Sequence, residues 1–282
     1  MSGISLSSSL SQNLSSLKAT QSLMDATEYK LTTGKKINSA IDDPISYFAS
    51  EAHLQEATDL QTLKDNMNES IQTIEAANNG ITGITDLISS AKSVLQSCLT
   101  AETDGDMDDL ISQYNELMSQ IDDMAADSGY GDVNLLGGTT QTLDVTFNTE
   151  GDNKITVTGF DGSTTGLSLT DAASGTFYSG TGSSFAVTKS GINALITELD
   201  DAKDTLRTKT KTLASQLSTI TTRQDFTSSM ITTLKDGSAN LVNCDTTEEG
   251  VNLTTLQTQQ SLAINSLSIA NQSAQSVLSL FS

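Results

Sequence analysis

The sequence has no tryptophan, one histidine (His53), one proline (Pro44) and two cysteines in 282 residues. With only seven Phe and five Tyr besides, it is short of the aromatic residues that usually fill a compact enzyme core of this length. Two cysteines make no disulfide framework, and no phosphate loop, metal cluster or triad appears, so no cofactor, metal or catalytic residue is expected. Cations are scarce as well: 14 Lys+Arg stand against 35 Asp+Glu, a formal net charge of -21. Nucleic acid and anionic membrane surfaces reward Lys and Arg, so neither is expected as a partner. No apolar run approaches the roughly 18 residues of a membrane-spanning helix. Residues 1–17 lack a positive n-region and a continuous apolar stretch, so no secretory signal is expected there.

What the chain does have is heptads. Residues 251–282 contain no Asp, Glu, Lys or Arg. Yet Leu253, Leu256, Gln260, Ala263, Leu267, Ala270, Ala274, Val277 and Phe281 alternate steps of three and four, the a/d seam of a coiled coil. Leu262, Ile264, Ile269, Leu278 and Leu280 widen the apolar face beyond one seam. Such a helix has nothing charged to solvate it and suits cover by other chains on several sides. Residues 1–31 have the same character: Leu10, Leu14, Leu17, Gln21, Met24, Glu28 and Leu31 keep the rhythm, and no charge precedes Lys18. The two ends therefore read as partners. Ser and Thr have modest helix propensity, so each end alone is expected to be disordered and to become helical once packed.

Between them the sequence is nested. The break Leu31-Thr-Thr-Gly-Lys-Lys-Ile-Asn-Ser-Ala-Ile-Asp-Asp-Pro44 places Gly34 to end one helix and Asp42 or Asp43 with Pro44 to cap the next. That next helix, Pro44 to about Thr100, carries the longest periodic stripe: Leu60, Leu63, Met67, Ser70, Ile74, Ala77, Ile81, Ile84, Ile88, Ala91, Leu95 and Cys98. Asn79-Gly80 and Gly83 lower its local propensity without disturbing the register. The acidic run 104–109 lacks the Gly at position six and the Glu at position twelve of a calcium loop, so it reads as a turn and a helix N-terminus. The helix it opens shows Leu110, Tyr114, Leu117, Ile121 and Met124 on one face, making a helical hairpin with its predecessor.

From Gly129 to Gly191 the grammar is that of strands. Leu143, Val145 and Phe147 alternate, then Ile155 with Val157 across the Glu150-Gly-Asp-Asn153 turn, then Leu167 with Leu169, followed by a Gly/Ser/Thr-rich loop to about Ser184. Helix returns near Lys189 with Leu206, Leu213 and Ile220 on its stripe, and residues 236–250 form a polar, acidic link to the terminal helix. The fold expected is mainly α: long antiparallel helices with coiled-coil termini and a small central antiparallel β insertion. Its divisions fall at 1–43 and 251–282 (paired terminal coils), 44–130 (helical hairpin), 131–188 (β/loop insertion), 189–236 (returning helix) and 237–250 (link). Cys98 lies on the apolar stripe and Cys244 in the link, a layout that sets them too far apart to bond.

Two stretches carry a family resemblance. Leu31-Thr-Thr-Gly-Lys-Lys-Ile-Asn-Ser-Ala-Ile-Asp-Asp43 resembles the flagellin N-terminal signature, with Lys36 where Arg is usual and Pro44 where Ala is usual. Leu267-Ser-Ile-Ala-Asn-Gln-Ser-Ala-Gln-Ser-Val-Leu-Ser-Leu-Phe281 resembles the C-terminal one, with Ala274 where Pro is common. The likeness covers about residues 1–136 and 190–282, and hook–filament junction proteins share it more loosely. It implies a filament subunit secreted to the bacterial flagellum for swimming motility, an open helical homopolymer. In such a subunit the paired termini form the inner tube and the long helices the shell around it. It further implies export unfolded through the flagellar type III apparatus, a chaperone on the C-terminal segment, and cap and hook-junction proteins as neighbours. One departure concerns the stretch that innate receptors read in some flagellins, where this chain has Ser89, Ala91 and Lys92, so receptor activation is not expected. An adaptor or adhesin displaying the β insertion is the alternative from another class, and it would remain monomeric.

Overall fold

The computed structural model describes residues 8–173, 177–179 and 186–280. They form five helices, α1 (Ser8–Thr33), α2 (Pro44–Cys98), α3 (Asp104–Asp127), α4 (Lys189–Val242) and α5 (Thr246–Leu280). Four short strands lie between α3 and α4: β1 (Thr142–Thr146), β2 (Lys154–Thr158), β3 (Tyr178–Ser179) and β4 (Ala186–Val187). The chain divides into two compact units, a terminal one that ends at Ala57 and resumes at Thr232, and a central one, Thr58–Ile231.

In the terminal unit α1 and α5 lie against each other. Gln21 meets Gln260 and Lys30 meets Glu249, so the pair is antiparallel. Expected to be disordered before assembly, both segments are helical here, each covering part of the other's seam. Their breaks coincide. Gly34 ends α1 with φ +69, a left-handed conformation that glycine adopts without strain. Its carbonyl accepts from Cys244 N at 3.0 Å, while Lys36 N donates to Val242 O at 2.7 Å, so the two interruptions satisfy each other's backbone groups. Asp43 caps α2 by accepting from Ile45 N and Ser46 N, with Pro44 in the first turn. Asp245 does the same for α5 through Thr247 N and Glu248 N. Hydrogen bonds hold the carboxyls of Asp43 and Asp245 below the ordinary carboxylate range, those of Ser46 first for Asp43 and those of the Thr247 and Glu248 amides first for Asp245. The expected link over 237–250 is mostly helix: α4 runs on to Val242 and α5 begins at Thr246, leaving three residues between them. Its acidic residues Asp245, Glu248 and Glu249 are the cap and first turn of α5 rather than a loop.

In the central unit α2 and α4 run antiparallel in a fixed register. Lys64 reaches Ser228, Asn68 reaches Gln224, Ser89 reaches Lys203 and Lys92 pairs with Asp200. From Lys64 to Lys92 and from Ser228 back to Asp200 the count is the same 28 residues, four heptads without a slip. The core between them takes Met67, Ile74, Ile81, Ile84, Ile88 and Leu95 from α2 and Leu199, Leu206, Leu213 and Ile220 from α4. Leu60 is also buried, and Leu63 is half-buried against the core. α3 starts at an N-cap, Thr103, whose hydroxyl accepts from Asp106 N, with Asp104 and Asp106 in the first turn.

The buried side of α3 is Met107, Ile111, Tyr114, Met118, Ile121 and Ala125. The expected row of Leu110, Leu117 and Met124 is displaced to the flank, where Leu110 and Leu117 are half-buried and Met124 is exposed. β1 and β2 pair antiparallel, Leu143 opposite Val157 and Val145 opposite Ile155, with the turn between them as read. Leu167 and Leu169 are buried but belong to a turn closed by Leu169 N donating to Thr164 O, with Ser168 at φ +56. Alternation over three residues fits such a turn as well as a strand. β3 and β4 form a second two-stranded pair, beyond the strands expected. The Gly/Ser/Thr-rich loop read to Ser184 falls partly outside the described residues. Cys98 is buried and Cys244 half-buried, and both are free thiols.

Candidate self-assembly surface

The terminal pair covers only one side of each helix. Leu17, Met24, Leu31, Leu253, Leu256 and Leu267 are half-buried, and Leu14 is 38% exposed. Leu10 and Val277 lie on helix whose side chains fall outside those described, and Phe281 lies outside the described residues. In α1 and α5 the buried side chains described come down to Thr27. The flanks are barer still: Leu23, Tyr29, Val251, Leu262, Ile264 and Ile269 are between 51% and 66% exposed. An apolar side chain gains about 1.5–3 kcal/mol on full burial, so each of these retains a large part of that gain unrealised in the isolated chain. A charge brought against such a surface would be costly, and the helices carry few. At mid-seam the amide of Gln260 donates to Gln21 Oε1, and Lys30 pairs with Glu249 at 3.1 Å beside the break. A polar pair at one core position of a coiled coil fixes register and partner number.

Contacts that sequence reasoning missed lie near the helix junctions. Ser50 and Ser238 share a buried hydroxyl–hydroxyl bond of 2.7 Å. Ile41 and Ile45, at 92% and 82% exposure, and Phe48 at 62%, leave an apolar patch around the start of α2. The serine pair follows no period, and Ile41, Ile45 and Phe48, although spaced four and three apart, straddle the break before Pro44. In the central unit Ala91 is buried, Ser89 accepts from Lys203 and Lys92 pairs with Asp200 at 2.6 Å. Burial pushes the Cys98 thiol up from its ordinary range. Burial first, then the charges of Glu198 and Asp171, raise the Tyr114 phenol, which donates to Thr170 O at 2.9 Å. Among the described residues no cluster of His, Cys, Asp and Glu is arranged to hold a metal, and no helix is long and apolar enough to cross a membrane.

Known proteins share this organisation. Residues 4–141 match the bacterial flagellin N-terminal helical region and residues 190–281 the bacterial flagellin C-terminal helical region. Flagellin FljM of Caulobacter vibrioides is 30% identical over 95% of this chain and 94% of its own length. The flagellin of Brucella melitensis is 27% identical, covering 100% of this chain and 99% of its own. A crystal structure of Bacillus cereus flagellin aligns at a TM-score of 0.46 and 18% identity, over 57% of this chain and 88% of that one. With both helical regions in place and relatives matched over nearly their whole length, the chain belongs to the bacterial flagellin family, a family of structural proteins, and is a subunit of the flagellar filament.

Proposed function

We propose that the paired α1 and α5 are the polymerisation element and that the chain is exported unfolded and polymerises at the filament tip. The observation that carries this is the exposed apolar surface on both helices, free of charge in α5 from Val251 onward. In this reading residues 1–43 and 251–282 line the inner tube, 44–130 and 189–236 build the shell, and 131–188 are the outward insertion. Repetition of a heterologous contact by a rotation that does not close gives a filament. Ordering helical backbone costs about 1–2 kcal/mol per residue, and a two-helix pair with half-buried Leu cannot offset that alone. Cover by several neighbours can, so assembly is cooperative and needs a nucleus or a seed. A flagellar export chaperone on residues 251–282 would shield this surface beforehand, and cap and hook-junction proteins would meet the same ends of the subunit.

The test is electron microscopy of purified chain seeded with sheared filaments, beside a version ending at Gly250 and a Leu267→Asp variant. Long filaments are expected from the intact chain alone, with the circular-dichroism melt of the central unit retained in all three. Monomers from the intact chain on its own seeds would overturn the reading in favour of a junction or adaptor protein. Normal filaments from Leu267→Asp would remove Leu267 from the seam.

A further inference from the structure

The side of α3 opposite its buried residues is a second heptad row: Asp109, Gln113, Glu116, Gln120, Asp123 and Asp127, all exposed. Four of the six are carboxylates, and α3 contains no Lys or Arg. Beside this row Leu117 of α3 and Val94 of α2 floor a shallow groove of about 280 Å³, rimmed by Gln113, Glu116 and Gln120. Met124, one heptad along from Leu117, is 38% exposed on the same flank. The groove is thus apolar at its base, with one carboxylate, Glu116, on its rim and the rest of the acidic row beyond it on α3.

The opposite character is concentrated on α4. Lys203, Arg207, Lys209 and Lys211 place four of the chain's 14 cations within nine residues, against one acid, Asp204. Lys203, Arg207 and Lys211 follow at steps of four and share one face. Among the described residues no ion pair joins this row to α3: Lys203 donates to Ser89 Oγ, and Arg207 pairs with Asp204 in a contact exposed on both sides.

We propose that in the polymer the basic row of α4 on one copy lies against the acidic outer row of α3, beside the α2/α3 groove, on the next copy. This rests on the self-assembly reading above and names a second contact, separate from the terminal helices. The long stems of Arg207 and Lys211 suit the apolar floor at Val94 and Leu117, with their heads turned to Glu116 and the carboxylates of the outer α3 row. The two rows are of similar length, about 12 Å of helix from Lys203 to Lys211 and about 10.5 Å from Glu116 to Asp123, with Arg207 and Lys211 about 6 Å apart within the basic one. The two surfaces differ, so the contact is heterologous and repeats without closing. Single exposed ion pairs contribute little, and the row acts through several pairs together with the groove. In a chain of net charge -21, its main effect is to set which faces of two mutually repelling copies meet.

The experiment is reciprocal charge reversal in the full chain, with unseeded assembly at one fixed concentration read by pelleting and electron microscopy. Arg207→Glu with Lys211→Glu, and separately Glu116→Lys with Asp123→Lys, should each cut filament yield at least tenfold. The chain carrying all four substitutions should recover to within about threefold of the unmodified chain, because the signs are exchanged and remain complementary. Thermal melts check that each variant folds. Where a reversal does not fold, the neutral changes Lys211→Gln and Glu116→Gln take its place, with a yield drop of severalfold expected of each. Yields unchanged by either reversal, or a fourfold variant no better than either parent, would overturn the proposal while leaving the terminal-helix reading intact. The concentration is one at which the unmodified chain polymerises; if it forms no filaments at any concentration, seeded or unseeded, both readings fall together.

Discussion

Gly80 shows how one residue can reverse a propensity argument. A glycine inside a helix costs about 1 kcal/mol relative to alanine, so Gly80→Ala in α2 should stabilise on that ground alone. The close approach of the α3 C-terminus forbids it. A Cβ at Gly80 would stand 2.0 Å from Ser128 Oγ, 2.5 Å from Ser128 Cβ and 3.2 Å from a methyl of Leu136. Ser128 cannot simply swing aside, since it is buried, caps α3 and donates its hydroxyl to Met124 O. We expect Gly80→Ala to destabilise the central unit by about 1–3 kcal/mol, the usual cost of overpacking. Gly83→Ala should be near neutral, because its Cβ would meet only the flexible end of Met124 at 3.3 Å. Gly250→Ala, with nothing within 4 Å, should show the bare propensity gain. Thermal unfolding of the three variants decides it, and a stabilised Gly80→Ala would mean the helices are not held this closely.

At the scale of elements, the clearest case is the terminal pair. Gln21 and Gln260 hydrogen-bond across a seam that is otherwise apolar but for Glu28. Replacing both with Leu removes a polar pair worth about 0.5–1.5 kcal/mol net and adds two apolar knobs. The double variant should therefore raise the melting temperature of the terminal helices. It should also lose selectivity, giving soluble aggregates by light scattering before filaments appear. A lower melting temperature with clean filaments would show that the amide pair stabilises more than it specifies. The helices themselves were legible in the sequence because heptad periodicity is local and dense. The stripe from Met67 to Leu95 and the stripe through Leu206 and Ile220 both lie in the core.

The face of α3 was harder to read, since two apolar rows run along it one residue apart. Leu110 and Leu117 are individually more apolar than Met107 and Met118, yet the Met row is buried. Which row faces inward depends on Phe160, Leu167 and Leu169 arriving from distant sequence to cover it, and periodicity within α3 cannot report that. The stretch 237–242 is helical, with Ser238 and Val242 buried, but its Gly, Ser and Asn give it the local composition of a link. The acidic outer row of α3 and the basic row of α4 were present in the sequence as charge, but their faces emerge only once the buried sides are known.

For the whole molecule, net charge governs how copies approach. Each carries -21, while the surfaces that must meet include nearly charge-free helices. Two such charges about 50 Å apart repel by roughly 7 kcal/mol at 0.01 M ionic strength, where the Debye length is about 30 Å. At 0.1 M, with a Debye length of about 10 Å, the same repulsion falls below about 0.5 kcal/mol. The apolar contacts of α1 and α5 are indifferent to this screening, and charge pairs at contact distance lose less than the long-range term does. Elongation from seeds should therefore accelerate steeply between 0.01 and 0.1 M NaCl, by at least tenfold in rate, and flatten above 0.15 M. The subunit concentration left unpolymerised at equilibrium should fall over the same range. Turbidity and pelleting at a series of salt concentrations measure both quantities. Polymerisation that slowed over this range would mean that long-range attraction between acidic and basic faces outweighs the net charge, and that assembly is steered by pairing from a distance rather than limited by repulsion.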